Sequence, residues 1–347
     1  MNHRTKKKNV IKYLLLSFFC IAFFSCDIKK DAIGANDDLV VLAAKEDRED
    51  IRSLLSIVFN DTLLTPAPEP FYNVKFADPS SFDALKTQTN LIIASIGDYE
   101  LNPATKLARD LLGKKAFDNT LENNPVVLSR DQFAKNQLFM ILSGYKESDI
   151  REYLKRNGSS IKNEFDENFD QKQSQYFLES KRQEDIEAQL LSDYGWSINL
   201  PWGWEMIRNN PDSNFVWIGQ EMPFRWMAVH WKDGNHFSEQ DAIDLGDNFP
   251  QTYFKSQQYN KEFLSIDWVD YRGDAAYRLA GLWESIDQAK GGPFVGYLFY
   301  DYESDRTFYV TYMVFNPGGR KAFYMKQMEL FLSLIHISEP TRPERIS

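Results

Sequence analysis

Cysteine is nearly absent. The chain of 347 residues has two, Cys20 and Cys26, both close to its start. Everything after Cys26 is therefore without a disulfide, a thiolate nucleophile or a cysteine metal ligand. A body of roughly three hundred residues does not need disulfides, because its core is large enough to hold it together. Histidine is almost as scarce, with four residues. His3 belongs to the opening stretch and His336 to the far end, so a Ser-His-Asp triad or a histidine metal site must use His230 or His236. His230 falls on a strand and reads as a hydrogen-bonded structural residue, His236 falls in a loop, and their spacing is not that of a zinc site. No Gly-x-Ser-x-Gly, His-Glu-x-x-His or Gly-x-Gly-x-x-Gly run occurs. Asp37-Asp38, Glu46-Asp47 and Glu49-Asp50 read as solvated charge, not as a catalytic pair across a cleft. The sequence thus assigns no catalytic residue, no metal ligand and no cofactor.

Positive charge is short as well. The formal net charge is −10. Arg4, Lys6, Lys7, Lys8 and Lys12 supply five positive charges to the first 25 residues, which carry no acid, so the remainder stands at −15. Such a body is a poor ligand for nucleic acid or for an anionic bilayer by charge alone.

What the chain does have, at its start, is a basic segment followed by an apolar one, Leu14 to Phe24, ending at Ser25-Cys26. That order is a secretory signal over 1–25. The run is too short to span a bilayer, and Asp27, Lys29, Lys30 and Asp31 follow at once. Its end resembles a bacterial lipobox, with Phe23 and Phe24 where the pattern has Leu and a small residue. The resemblance implies cleavage before Cys26 and acylation there, by palmitate-type chains. A multiply acylated cysteine anchors stably, since each buried CH₂ contributes ~0.8 kcal/mol and one chain alone holds only marginally.

Aromatic residues make up 15% of the chain, which argues for a packed globular body. The pattern predicts an α+β fold. Residues 26–38 read as a polar tether. Over 39–145, apolar runs at Leu39–Ala44, Phe71–Phe76 and Asn90–Ile96 alternate with helical spacing at Ile51–Phe59 and Ser81–Lys86, which predicts a mixed α/β half. Strands follow at Pro125–Leu128 and Gln137–Leu142, with a helix around Ala104–Leu112 in an otherwise irregular stretch. Residues 146–194 predict a long helical connector, with a stop at Asn157-Gly158 and a new cap at Ser159 or Ser160. From Trp196 the composition turns aromatic and β-branched. Residues 195–333 predict an antiparallel sheet with helices packed on one face, among them one opened by Ser238 and one over Lys321–Leu332. Leu334 to Ser347 resembles a translated sequencing adapter and is set aside, with His336.

Two constellations stand out in the aromatic half. Gly291-Gly292-Pro293 is a candidate anion cradle, but it lacks the Lys and Ser/Thr of a P-loop, and a loop that needs φ > 0 is the plainer reading. Trp283, Glu284 and Phe294 beside it, with Arg225 and Trp226, form a candidate binding groove. Aromatic faces with a few polar groups suit a glycan or a peptide. The plainer reading puts most tryptophans in the core.

Leu39-Val-Val-Leu42, Glu69-Pro-Phe71, Asn90-Leu-Ile-Ile93, Gly281-Leu-Trp-Glu284, Gly291-Gly-Pro-Phe-Val-Gly-Tyr297 and the late Pro317…Arg320-Lys321…Tyr324…Gln327-Met-Glu329 occur in this order. Together they resemble an uncharacterised lipoprotein family of Bacteroidota built on a domain of unknown function. The resemblance implies an address and a fold type, not an activity, and Lys29-Lys30-Asp31 after the cysteine implies export to the outer membrane. Tyr194-Gly-Trp-Ser-Ile-Asn-Leu-Pro-Trp-Gly-Trp204 is similar to the opening of PsbP-like domains, which are non-catalytic assembly factors. The expectation is a lipid-anchored cell-envelope protein that binds an envelope protein or a glycan. The alternative is a carboxylate-dependent hydrolase of envelope polymer that uses Glu284 and a second acid.

Overall fold

Short aliphatic runs bounded by polar loops build the first sheet. The computed structural model describes residues 29–65 and 67–337. The signal 1–25, Cys26 and residues 338–347 lie outside the described residues. The fold is α+β. Strands β1 (Asp38–Leu42), β2 (Asn73–Ala77), β3 (Asn90–Ile96), β4 (Val126–Arg130) and β5 (Leu138–Gly144) line up as β2-β1-β3-β5-β4. All neighbours are parallel except β4, which runs antiparallel to β5 at the edge. Parallel strands need helices on both faces, and the helices are there. Leu39, Val41, Ile92, Ala94, Met140 and Leu142 face α1 (Arg48–Leu55) and the first half of a long helix described below. Val40, Leu42, Leu91, Ile93, Phe139 and Ile141 face α2 (Pro103–Leu112) and α3 (Lys114–Glu122). Asn102 caps α2 by accepting from the N–H groups of Ala104 and Thr105 at 2.9 and 3.2 Å. Helix α3 falls in the stretch expected to be irregular. Phe117 and Leu121, one turn apart, suffice to hold it on the sheet.

The connector differs from its expectation. Helix α4 (Glu147–Glu179) runs unbroken through Asn157-Gly158 for 33 residues. Gly158 stays helical and is buried against the chain after α1. A Cβ there would make only an ordinary contact, 3.5 Å from Val58 Cγ2, so this glycine is neither a stop nor a forced close approach. The break comes at Ser180–Gln183, and α5 (Glu184–Tyr194) follows. That helix ends at Gly195, whose φ of 67° and N–H bond to the Leu191 carbonyl make the left-handed cap. The tether is also shorter than expected. Ala32 and Asp37 are buried, and backbone bonds tie Ala32 to Lys135 and Ile33 to Thr87, so residues 31–38 lie against the first sheet.

The second sheet is antiparallel and aromatic. It comprises β6 (Glu205–Asn210), β7 (Phe215–Gln220), β8 (Phe224–Asp233), β9 (Gln257–Tyr259), β10 (Ser265–Tyr271), β11 (Asp274–Ser285), β12 (Gly291–Asp301) and β13 (Arg306–Phe315). The order is β9-β11-β12-β13-β8-β7-β6, with β10 also paired to β11. Helix α6 (Glu239–Phe254) opens at Ser238, whose hydroxyl accepts from the Asp241 N–H, and α7 (Ala322–Ser333) closes the chain. The two helices lie on opposite faces. Phe308, Val310, Tyr312 and Val314 pack toward Met325, Met328 and Phe331 of α7. Tyr309 and Met313, between them in sequence, pack toward Ala242 and Phe249 of α6. The expectation of helices on one face is corrected here. The reason is visible in β12 and β13, where apolar residues run without polar alternation, so both faces need cover. Ile335 is buried and His336–Ile337 pair with Trp196–Ser197, so the first residues of the segment set aside as a tail pack into this fold.

Candidate functional site

The groove expected from the sequence is mostly interior. Trp283 is 2% exposed and Phe294 1%, closed over by α6 and Tyr259. Trp226 packs edge-on against Trp283, with ring centroids 5.6 Å apart, and is only partly covered. Arg225 points to the other face, as strand alternation demands. There it is buried and donates to Gln327 at 2.5 Å and to Gln220, between the rings of Trp204 and Tyr324. Gly291 and Gly292 are not in a left-handed loop but inside β12, opposite Glu284 and Trp283. Glycine is required because a Cβ on Gly292 would come 2.1 Å from the Val314 carbonyl oxygen, and one on Gly291 2.7 Å from that of Trp283. Glu284 accepts from the side-chain amides of Gln258 (2.8 Å) and Asn260 (3.1 Å), which occupy both oxygens. The structure thus gathers Trp226, Trp283 and Phe294 behind α6, leaves Glu284 and Gly291 half-buried at the rim, and sends Arg225 elsewhere. His230 is buried on the α6 face, 3.0 Å from the Asn214 carbonyl, and burial pushes its imidazole below the ordinary value.

A different hollow forms where α7 and the second sheet meet α4 and the segment from Asp61 to Phe71. The residues before α7 carry the join. Arg320 pairs with Asp37 at 2.7 Å and donates to the carbonyls of Pro70 and Phe71. Glu69 accepts from the backbone N–H groups of Lys321 (2.6 Å) and Ala322 (3.2 Å) and from the Lys321 ammonium. A carboxylate from the first half thereby caps the opening turn of a helix in the second, where the dipole favours negative charge. One turn on, Lys326 pairs with Asp166 of α4. Asp166 also accepts from Lys162 at 2.6 Å and from the Tyr72 hydroxyl at 2.8 Å, and Lys162 reaches Asp61 at 2.8 Å. Burial works against the Asp166 charge, but these hydrogen bonds outweigh it and hold its carboxyl below the usual range. Burial, with Asp166 beside it, pushes the Tyr72 hydroxyl up.

Beneath this network lies a cleft of about 230 Å³. Asp61, Leu63 and Phe71 form one wall, Lys162 and Asp166 a second, and Met325, Lys326 and Glu329 a third. The floor is sheet: Arg278 of β11, Val295 of β12 and Tyr312 of β13. Glu329 accepts from the hydroxyls of Tyr297 and, at 2.7 Å, Tyr312. Burial pushes its carboxyl up, and the Arg278 charge pulls the other way. Chemically the cleft can hold a small ligand between an apolar wall and a few fixed charges.

Sequence reasoning did not single out this cleft, although several runs that carry the resemblance, Glu69-Pro-Phe71, Arg320-Lys321 and Gln327-Met-Glu329, meet around it. Two signals were present. Glu329 sits one turn from Met325 on a helix whose buried stripe is apolar apart from Gln327, and Arg278 is the one charge between Ala275 and Trp283. Buried charged positions of that kind are uncommon without a partner.

Among the described residues, no helix is long and apolar enough to cross a membrane, and no three His, Asp or Glu side chains are placed to hold a metal ion. Residues 32–177 match the family model of one domain of unknown function (DUF8532) and residues 183–333 that of another (DUF4837). No curated protein matches the chain. Among solved structures, it is similar to the Ran-binding protein Mog1p of Saccharomyces cerevisiae, with 13% identity, coverage of 42% of this chain and 91% of that one, and a TM-score of 0.30. It is also similar to LpqN, a protein involved in cell envelope biogenesis of Mycobacterium tuberculosis, with 10% identity, 46% and 98% coverage, and a TM-score of 0.29. Likeness at these scores bears on neither family nor activity.

Proposed function

We propose that the chain is a lipid-anchored, non-catalytic binding or assembly factor of the cell envelope, held at the outer membrane through Cys26, and that the cleft under α7 receives its ligand or partner. The observation that carries the binding role is convergence. Segments as far apart as Asp61, Asp166, Arg278 and Glu329 meet in one hollow, and the Asp61, Asp166 and Glu329 carboxyls are held by neighbours before any ligand arrives. Preorganised polar groups beside an apolar wall suit recognition. The anchoring role rests on the basic-then-apolar opening that ends at Ser25-Cys26 and on the acidic body, which leaves attachment to acyl chains. A non-catalytic role is supported by the engagement of the two singled-out carboxylates: Glu284 is held by two amides, and Glu329 by two tyrosine hydroxyls.

Two measurements test the reading. Cells fed a clickable fatty acid should label the protein, and Cys26→Ser should lose both the label and the membrane fraction; an unlabelled wild-type protein removes the anchor. For the cleft, a photo-crosslinking residue at position 63 should capture a ligand or partner that the same residue at exposed Tyr302 does not. Equal capture at both positions moves the site elsewhere.

A further inference from the structure

The charged side chains around the cleft differ in one respect. Lys162 is shared by Asp61 and Asp166, Lys326 is taken by Asp166, and Glu329 accepts from two hydroxyls. Arg278 alone is left over. Among the described residues, its guanidinium makes no ion pair within 4 Å and donates no hydrogen bond, although it is half-buried on β11 beside Tyr297. Such a group has five N–H donors in a planar fork, and that fork matches a carboxylate better than any other common anion of single charge. Glu329 feels the Arg278 charge but stands beyond ion-pair distance of it, and its two oxygens accept from tyrosines.

The rest of the wall is apolar: Leu63, Phe71, Val295, Met325 and the ring of Tyr312. At about 230 Å³ the hollow lies below the span of ~300–1,000 Å³ typical of drug-sized sites. It suits one side chain or one short acyl chain, not an oligosaccharide. A phosphate monoester would bring close to two charges, and the two lysines that could share them are already held by carboxylates.

From these observations, and resting on the reading of the cleft as the binding site, we propose that the cleft takes the carboxylate end of an apolar-bodied molecule, with Arg278 as its anchor and Leu63, Phe71, Val295 and Met325 around its chain. The same chemistry is offered by a short fatty acid and by a peptide C-terminus with an apolar last residue.

Isothermal titration of the purified full chain tests this with two matched pairs. One is hexanoate against its methyl ester; the other is acetyl-Leu-Leu with a free against an amidated C-terminus. In at least one pair the acid should bind about ten- to a hundredfold more tightly than its neutral partner, the size that charge-assisted hydrogen bonds carry, and the pair that shows it names the source. Arg278→Gln should erase the difference. Arg278→Lys, which keeps the charge but not the fork, should restore part of it and guards against a folding defect. Leu63→Trp, which fills the cleft from its rim, should weaken the acid without touching Arg278. Equal binding of acid and neutral probes, or a preference that survives Arg278→Gln, overturns the carboxylate anchor yet leaves the cleft as a site. If no probe binds the wild type, the anchor is overturned too, and the crosslinking at position 63 decides whether the cleft falls with it.

Discussion

The two sheets fill their cores with different chemistry. The first is mostly aliphatic: Leu91, Ile92 and Ile93 on β3 and Leu138, Met140, Ile141 and Leu142 on β5 are all buried, with a few phenylalanines among them. Such side chains ask for nothing beyond removal from water. The second is aromatic, and tyrosine and tryptophan bring heteroatoms that need partners once buried. Tyr271 donates to the Leu332 carbonyl at 2.8 Å, the Tyr259 and Tyr309 hydroxyls meet at 3.2 Å, and Tyr297 and Tyr312 share Glu329. The demand is not fully met, since the indole N–H groups of Trp196, Trp204 and Trp217 are buried without a partner. A tyrosine core therefore draws a carboxylate inward, and that carboxylate makes the cleft floor polar. To the cleft itself the first half supplies charges only from its loop and long helix, at Asp61, Lys162 and Asp166. One half acts as a scaffold, and the other carries most of the polar floor.

The largest expected effect tests the scaffold side. Phe165 is fully buried and packs edge-on against Phe59 and Tyr72. Phe165→Ala should cost about 3–5 kcal/mol in urea unfolding, the usual loss for an aromatic cavity. A loss under about 1 kcal/mol would mean that the aliphatic half repacks freely, and the contrast between a fixed scaffold and a polar half would break.

The join should respond less, and with a pH signature. Asp166→Ala leaves Lys326 and Lys162 each short of an acceptor. The paired side chains are 23% and 20% exposed, so solvent screens part of the loss, and about 1–3 kcal/mol is expected. Because the folded carboxyl is lowered, the wild type holds this stability above the unfolded value near 3.8 and loses it as pH falls through the folded one. The variant should therefore lag the wild type at pH 7, and the gap should narrow toward pH 3. A gap that stays constant with pH would make Asp166 a packing residue and not an ionic one.

How much of this was legible follows the same division. The strands of both halves lay open in the sequence, because aliphatic runs and aromatic alternation have a period that one residue type after another repeats. The Ser238 cap was equally plain. Gly158 misled, since a glycine that ends a helix and a glycine carried inside one look alike in one dimension. Gly291 and Gly292 misled for the same reason. The face covered by α6 was missed because β12 and β13 hide their two-sidedness in an unbroken apolar run. The cleft was out of reach for a different cause. Arg278 and Glu329 stand 51 positions apart, and only the sheet register and the seat of α7 bring them together.

The smallest effect is also the sharpest test of a tyrosine core that recruits a carboxylate. Glu329 has a raised carboxyl, with burial as the main cause and Arg278 opposing it. A raised folded value means that its protonated form is the one the fold prefers. The stability linked to it is fully present below the ordinary value of 4.5 and is lost as pH rises through the folded one. Glu329→Gln does not titrate. Its carbonyl still accepts from one tyrosine, and the second hydroxyl can turn to accept from the new amide. The variant should match the wild type within about 0.5 kcal/mol at pH 4 and exceed it by up to about 1 kcal/mol at pH 8, the scale of one net hydrogen bond. Asp37 and Asp170, whose carboxyls are also raised by burial, titrate in both proteins and cancel in the difference. If instead the wild type is the more stable at pH 8, the Arg278 charge outweighs burial, and the floor is an ionic device like the join above it, not the by-product of an aromatic core.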